Sequence, residues 1–145
     1  MAVYTRNFIN PSTRTIKADS DDFGPPQIGG VVNVRWGSIA YTQAGVDAYI
    51  ATLPKGAEIV GWMLDIGTAF NDSGTDLLDV GDATTGNRFA NDISLASAGQ
   101  VVTGFTSSAM WTPLTQDTTI LARYTGQNAN ASAGAAKLGV FFILR

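Results

Sequence analysis

The chain has 145 residues, no cysteine, no histidine and a net charge of −3, which suits one domain with an ordinary core and excludes disulfides and thiolate or imidazole chemistry. Charged residues make up 14% of it, against a usual share of about 25%, and no polybasic run exists, so a nucleic-acid partner is not expected. The N-terminal MAVYTRNFINPSTRT has no apolar signal-type stretch, and no run approaches the roughly 20 residues of a membrane span, so no membrane partner is expected either.

Residues 1–30 carry isolated apolar side chains (Val3, Tyr4, Phe8, Ile9, Ile16, Phe23, Ile28) among Asn, Ser, Thr, Pro and Gly, with no sustained period. Arg6, Arg14 and Lys17 come before Asp19, Asp21 and Asp22, so the segment is dipolar. Such a stretch buries little against itself. It reads as an extended N-terminal arm that contacts a neighbour, with an edge strand of its own domain as the other reading. Gly24-Pro25-Pro26 and Gly29-Gly30 mark the boundary to a second unit, residues 31–145.

From Val31 the pattern is strand after short strand. Val32, Val34 and Trp36 alternate with Asn33 and Arg35; Gly37 then interrupts, and Ile39, Ala40 and Tyr41 resume, which predicts a long strand with a bulge or bend. Val46 to Thr52 reads as the next strand. The tight turn Leu53-Pro54-Lys55-Gly56 follows. Val60, Trp62, Leu64 and Ile66 then share one face of a period-two strand, Asn71-Asp72-Ser73-Gly74 reverses the chain, and Leu78 and Val80 carry the pattern back.

Arg88 to Leu95 reads as a short strand or irregular segment, with a weak helical possibility over Asp92 to Ala98. Residues 96–117 read as a long irregular connection in which Val101, Val102, Met110 and Trp111 could pair. Ile120, Ala122 and Tyr124 alternate with polar neighbours as in a central strand. The segment GQNANASAG, residues 126–134, has no apolar anchor and reads as an exposed hairpin tip. Val140 to Leu144 is apolar on both faces, which predicts a last strand covered on both sides. About eight strands separated by turn signals make the fold all-β, an antiparallel β-sandwich of jelly-roll type. The expected core is Trp62, Leu64, Ile66, Val80, Ile120, Tyr124, Val140 and Phe142.

The chemistry these residues support is sparse. A serine–lysine pair would draw on Lys17, Lys55 or Lys137, none in a place that desolvates an amine. Two carboxylates suffice for glycoside hydrolysis, but the only glutamate is Glu58, and Asp47 and Asp65 read as the solvent face of strands. Asp72, Asp76, Asp79 and Asp82, with Asn71 and Asn87, form an acidic turn region that reads as solvated turns or, less simply, as a structural calcium site off the EF-hand spacing. Trp36 and Trp62 fall on apolar faces and are expected in the core, while Trp111, beside Pro113, is expected at a surface or subunit contact.

The succession LPKGAEIVGWMLDIGTAFNDSGTDLLDVGD, NRFAND, an Ala-Gly turn, DTTILARYTG and ASAGAAKLGVFFILR, over about residues 53–145, resembles the β-sandwich decoration or cement proteins of tailed bacteriophages. The resemblance implies a non-enzymatic virion protein on the capsid exterior, made in the host cytoplasm. It implies binding to the major capsid protein, commonly as a trimer, and no cofactor. Read with the arm, it makes Tyr4, Arg6, Phe8, Ile9, Arg14, Lys17 and Trp111 the expected capsid or subunit contacts. The alternative on the same architecture is a tail-associated adhesion or carbohydrate-binding module that displays Trp111 or Tyr49 in a groove; a small glycoside enzyme using Asp47 or Asp65 is the third.

Overall fold

The computed structural model of the chain describes residues 31–104 and 107–144. Among them are eight strands: β1 (Asn33–Ala40), β2 (Asp47–Leu53), β3 (Glu58–Thr68), β4 (Asp76–Asp82), β5 (Ala90–Ser94), β6 (Gln100–Gly104), β7 (Thr118–Gly126) and β8 (Ala135–Ile143). One three-residue 3-10 turn, Tyr41–Gln43, follows β1. No helix among the described residues is long and apolar enough to cross a membrane.

The strands form two four-stranded sheets, ordered β1-β8-β3-β6 and β2-β7-β4-β5, with every pairing antiparallel. The first strand pairs with the last, the second with the seventh, the third with the sixth and the fourth with the fifth. The described strands therefore form one long antiparallel hairpin rolled around itself, the jelly-roll form of the sandwich. Of the described strands, only β4 and β5 are sequence neighbours that pair. The Asn71 to Gly74 reversal consequently does not close a hairpin, because β3 and β4 lie in different sheets.

The core lies between the sheets. All eight residues expected there are buried, joined by Ile39, Leu53, Ile59, Leu78, Leu95 and Leu138. Each such side chain stabilises the fold by about 1.5–3 kcal/mol through lost apolar exposure. Bulges adjust the alternation: the register of β2 against β7 shifts between Tyr49 and Ala51, so Ile50 and Ala51 are both buried.

Two readings of the sequence are corrected. Trp36 is 46% exposed rather than in the core. β1 runs against β8 without a register shift, so Val34 and Trp36 stay on the face opposite Ile39. A side chain at Gly37 would collide with Ile50 of β2, and the glycine thus relieves a close approach between the sheets without turning the strand over. Residues 126–134 are not a hairpin tip, because β7 and β8 belong to different sheets and the segment bridges them. As its two-sided apolar pattern predicts, β8 is a central strand buried on both sides over its second half, with Leu138, Val140 and Phe142 in the core and a buried Ile143 and half-buried Phe141 on the outer side.

Candidate functional site

Two clusters of polar side chains and two aromatic surfaces stand out from this scaffold. The acidic turn comes first. Asp72 is buried, and its carboxylate accepts the backbone N–H groups of Gly74 (2.8 Å), Asn128 (3.0 Å) and Asn130 (2.9 Å). Burial pushes its pKa up, but the amides of Asn130, Gly74, Asn128 and Ala129 outweigh that and hold it below the ordinary carboxylate value. Asp76, also buried, accepts the Tyr124 hydroxyl at 2.6 Å and the Asp72 backbone N–H at 3.1 Å. Burial, and then the hydrogen bond and negative charge of Asp76, raise the Tyr124 phenol above its usual range.

Asn71 completes the strap, accepting the N–H groups of Ser132 (2.8 Å) and Ala133 (2.9 Å), and the Ser73 N–H reaches the Asn130 side chain at 2.9 Å. Residues 71–76 and 127–133 are thereby tied together across the end of the sandwich, with Phe70 packed on Tyr124 at 4.6 Å beneath them. Gly126 leaves the space that the Asp72 carboxylate and the Tyr124 hydroxyl fill. The sequence signal for this strap is the alternation of Asn with small residues over 126–134, whose amides and side chains meet the Asp72 turn.

Asp82 and Asp79 are used in the same way. The Asp82 carboxylate accepts the N–H groups of Thr84 and Thr85, both at 2.8 Å, and pairs with Arg88 at 2.6 Å. Burial raises its pKa, yet the Arg88 hydrogen bond, the two threonine amides and the Arg88 charge bring it below the ordinary value. Asp79 accepts the Asp92 N–H at 2.9 Å. These oxygens already face donors, and no group of three or more acidic side chains converges on a common point among the described residues. Rather than standing as solvated turns, these carboxylates hold backbone in place.

The first aromatic surface is Trp111. It is 57% exposed and has φ of 64°, in the left-handed region that a bulky residue rarely adopts. The flanking segment enforces this geometry. Met110 and Leu114 are buried on either side. The Trp111 N–H donates to Ile59, the Leu114 N–H to Ala57 and the Gly56 N–H to Leu114, each at 2.8 Å. Pro113 bridges to Glu58. Residues 111–114 therefore continue the sheet beside the start of β3, and the indole projects from it. Val31 and Val32 are exposed at the same end of the sandwich, where β1 begins.

The second surface is the outer face of the β1-β8-β3-β6 sheet. The register aligns Trp36, Gly139 and Met63 across three strands, and beside them Ser38, Lys137 and Asp65. Trp36 and these polar residues line a cleft of about 550 Å³. The opposite outer face differs: Asp47 pairs with Arg123 at 2.8 Å, and Tyr49, Thr52 and Thr119 form a hydroxyl chain. The hydrogen bond and charge of Asp47 raise the Arg123 pKa above its ordinary value.

Of the expected contact residues, Tyr4, Arg6, Phe8, Ile9, Arg14 and Lys17 lie outside the described residues, and Trp111 is exposed. Tyr49 is exposed on the outer face of β2, and neither it nor Trp111 lines the Trp36 cleft.

No family model matches the sequence, and no curated protein does. Among solved structures, the chain is similar to one in the capsid asymmetric unit of cyanophage Pam1, with a TM-score of 0.61 and 28% identity over 79% of this chain and 85% of that one. It shares its fold with a chain of the capsid of Ralstonia phage GP4 (TM-score 0.66, 23% identity, 83% and 89% covered). The same fold occurs in the acid-stable capsid of Helicobacter pylori bacteriophage KHP30 (TM-score 0.61, 22% identity, 79% and 88% covered).

Proposed function

We propose that this chain is a structural virion protein that binds the outside of a bacteriophage head and cements neighbouring major capsid subunits, as a trimer and without enzymatic activity. The observation that carries the reading is the jelly roll held in common, at 28% identity and over most of both chains, with a component of the cyanophage Pam1 capsid. The physical character of the molecule fits the task. A cement needs a module that does not deform, and here strapped loops and a continuous core brace both sheets. It also needs surfaces that seat on protein without stripping water from many ions, and 14% charged residues with exposed Trp111, Val31 and Val32 supply them.

In this reading Tyr4, Phe8 and Ile9 anchor the segment before Val31 in apolar pockets of a neighbour, and Arg6, Arg14 and Lys17 pair with acidic groups there. An extended segment added to a sheet edge gains main-chain hydrogen bonds over its length. Trp111 seats at a subunit or capsid contact. Many copies on one lattice make weak single contacts add up through effective concentration.

The test uses heads of the phage that encodes the chain, purified with the gene intact and with it deleted. Deleted heads should rupture at lower temperature and recover on addition of the full chain, which cryo-microscopy should place on the exterior. A chain lacking residues 2–20 should fold and fail to bind. Full occupancy by that truncated chain would overturn the role of the arm, and absence of the protein from intact heads would overturn the function.

A further inference from the structure

We propose that the cleft on the outer face of the β1-β8-β3-β6 sheet is a binding site for a pyranose sugar, with the Trp36 indole as its stacking platform. The register builds two parallel rows. One is Trp36, Gly139 and Met63; the other, two residues along each strand, is Ser38, Lys137 and Asp65. Two residues of strand separate the rows by about 7 Å, and neighbouring strands by about 4.8 Å. The first row is flat and apolar for a specific reason. A side chain on Gly139 would meet the six-membered ring of Trp36 at 2.9–3.0 Å, so the missing Cβ lets the indole lie down against the sheet instead of standing off it. The ring is nevertheless 46% exposed.

The second row is polar and uncommitted. Lys137 and Asp65 are directly opposite each other, yet among the described residues neither makes an ion pair or a side-chain hydrogen bond, whereas Asp47 and Arg123 on the other outer face do. A hydrogen-bonding hydroxyl, an ammonium and a carboxylate thus stand in line along one side of an exposed aromatic plane. The cleft of about 550 Å³ falls within the range of roughly 300–1,000 Å³ usual for small-ligand sites, which combine an apolar floor with a few placed polar groups.

A pyranose matches both rows at once. Its axial C–H bonds form a flat apolar face for the indole, and its equatorial hydroxyls each donate and accept, so adjacent hydroxyls serve the Asp65 acceptor and the Lys137 donor together. A protein laid over the same face would have to desolvate that carboxylate and ammonium, at a cost that an open cleft holding a polyol avoids.

The test is titration of the full chain with a panel of soluble oligosaccharides and bacterial surface polysaccharides, read by ligand-observed NMR and calorimetry. Wild type should bind at least one pyranose class, Trp36→Ala should weaken it by about tenfold or more, and Trp36→Phe should recover part of the loss. Asp65→Asn and Lys137→Met should each weaken binding while keeping the wild-type melting temperature, which separates a site from a folding defect. Sugar binding that survives Trp36→Ala overturns the proposal. So does the absence of binding across the panel, and so does a Trp36→Ala chain whose defect is confined to self-association or attachment to heads, since the cleft would then be a protein interface. Head binding by the Trp36 variants reports separately on the cement role.

Discussion

Two of the loop systems that link the sheets solve opposite problems. Residues 71–76 and 127–133 bury Asp72 and Asp76 and satisfy them with backbone amides and the Tyr124 hydroxyl. Residues 107–117 bury Met110 and Leu114 and use the anchorage to hold Trp111 outside, in a strained backbone conformation. One loop system pairs its polar groups internally and presents little that is unsatisfied; the other stores strain to present a large apolar ring. The difference separates scaffold from contact surface. Substitutions in the first should cost stability, and substitutions in the second should cost function with little change in stability.

The largest expected effect is therefore on the Asp72 side. Asp72→Ala removes the acceptor of three backbone N–H groups and should lower the melting temperature further than any single substitution at Tyr124, Asp82 or Trp111. Tyr124→Phe removes the hydroxyl that donates to Asp76 Oδ1; it should cost about 1–3 kcal/mol, the usual cost of leaving a buried polar group short of a partner, measured by urea denaturation. A Tyr124→Phe chain as stable as wild type would mean that water serves Asp76 equally well and that the strap contributes little.

Acid should loosen the same region. Asp72 and Asp82 have folded pKa values below their ordinary value of 3.8. A depressed carboxylate contributes stability that is complete above the unfolded value and lost as pH falls through the folded one. Unfolding stability should accordingly be flat from neutral pH to about 5 and decline below about 4. Protection factors for the Asn128 and Asn130 amides, corrected for intrinsic exchange, should fall on that limb before the amide of Trp111, which donates to a carbonyl of Ile59 and has no titrating partner. Asp82→Asn should remove part of the decline and leave the Asn128 and Asn130 response in place. Simultaneous loss of protection in both loop systems would show that they unfold as one unit.

How much of this is legible in the sequence depends on the range of the interaction. Period-two alternation identifies the interior faces of β3, β4, β7 and β8, and all eight expected core residues are buried, because each depends only on its own strand. Trp36 escapes that logic because its face is decided by whether Gly37 turns the strand, and that is settled by β8 and by Ile50 across the core. The acidic turn is illegible for a related reason. Asp72 and its partners Asn128 and Asn130 are more than fifty residues apart, and nothing local tells a carboxylate filled by distant amides from one open to a cation. The two-sided apolar pattern of β8 is the one clue to the outer aromatic face, since Phe141 lies on the opposite side of that strand from the core.

The smallest effect on stability, and the sharpest test of the contrast, is expected at Trp111. In the left-handed region an L side chain costs roughly 1–2 kcal/mol that glycine does not. Glycine forfeits roughly 0.5–1 kcal/mol of that through its freer unfolded chain, and the indole, more than half exposed, loses only part of its packing. These terms nearly cancel, so Trp111→Gly should lie within about 1 kcal/mol of wild type. Trp111→Ala keeps the strain and loses the ring, and should be the less stable of the two, the reverse of the ordinary ranking of alanine over glycine. Both chains should lose attachment to heads if the indole is a contact. If Trp111→Gly instead unfolds as readily as Asp72→Ala, the ring is structural, the positive φ is a consequence of packing, and the distinction between the two loop systems fails.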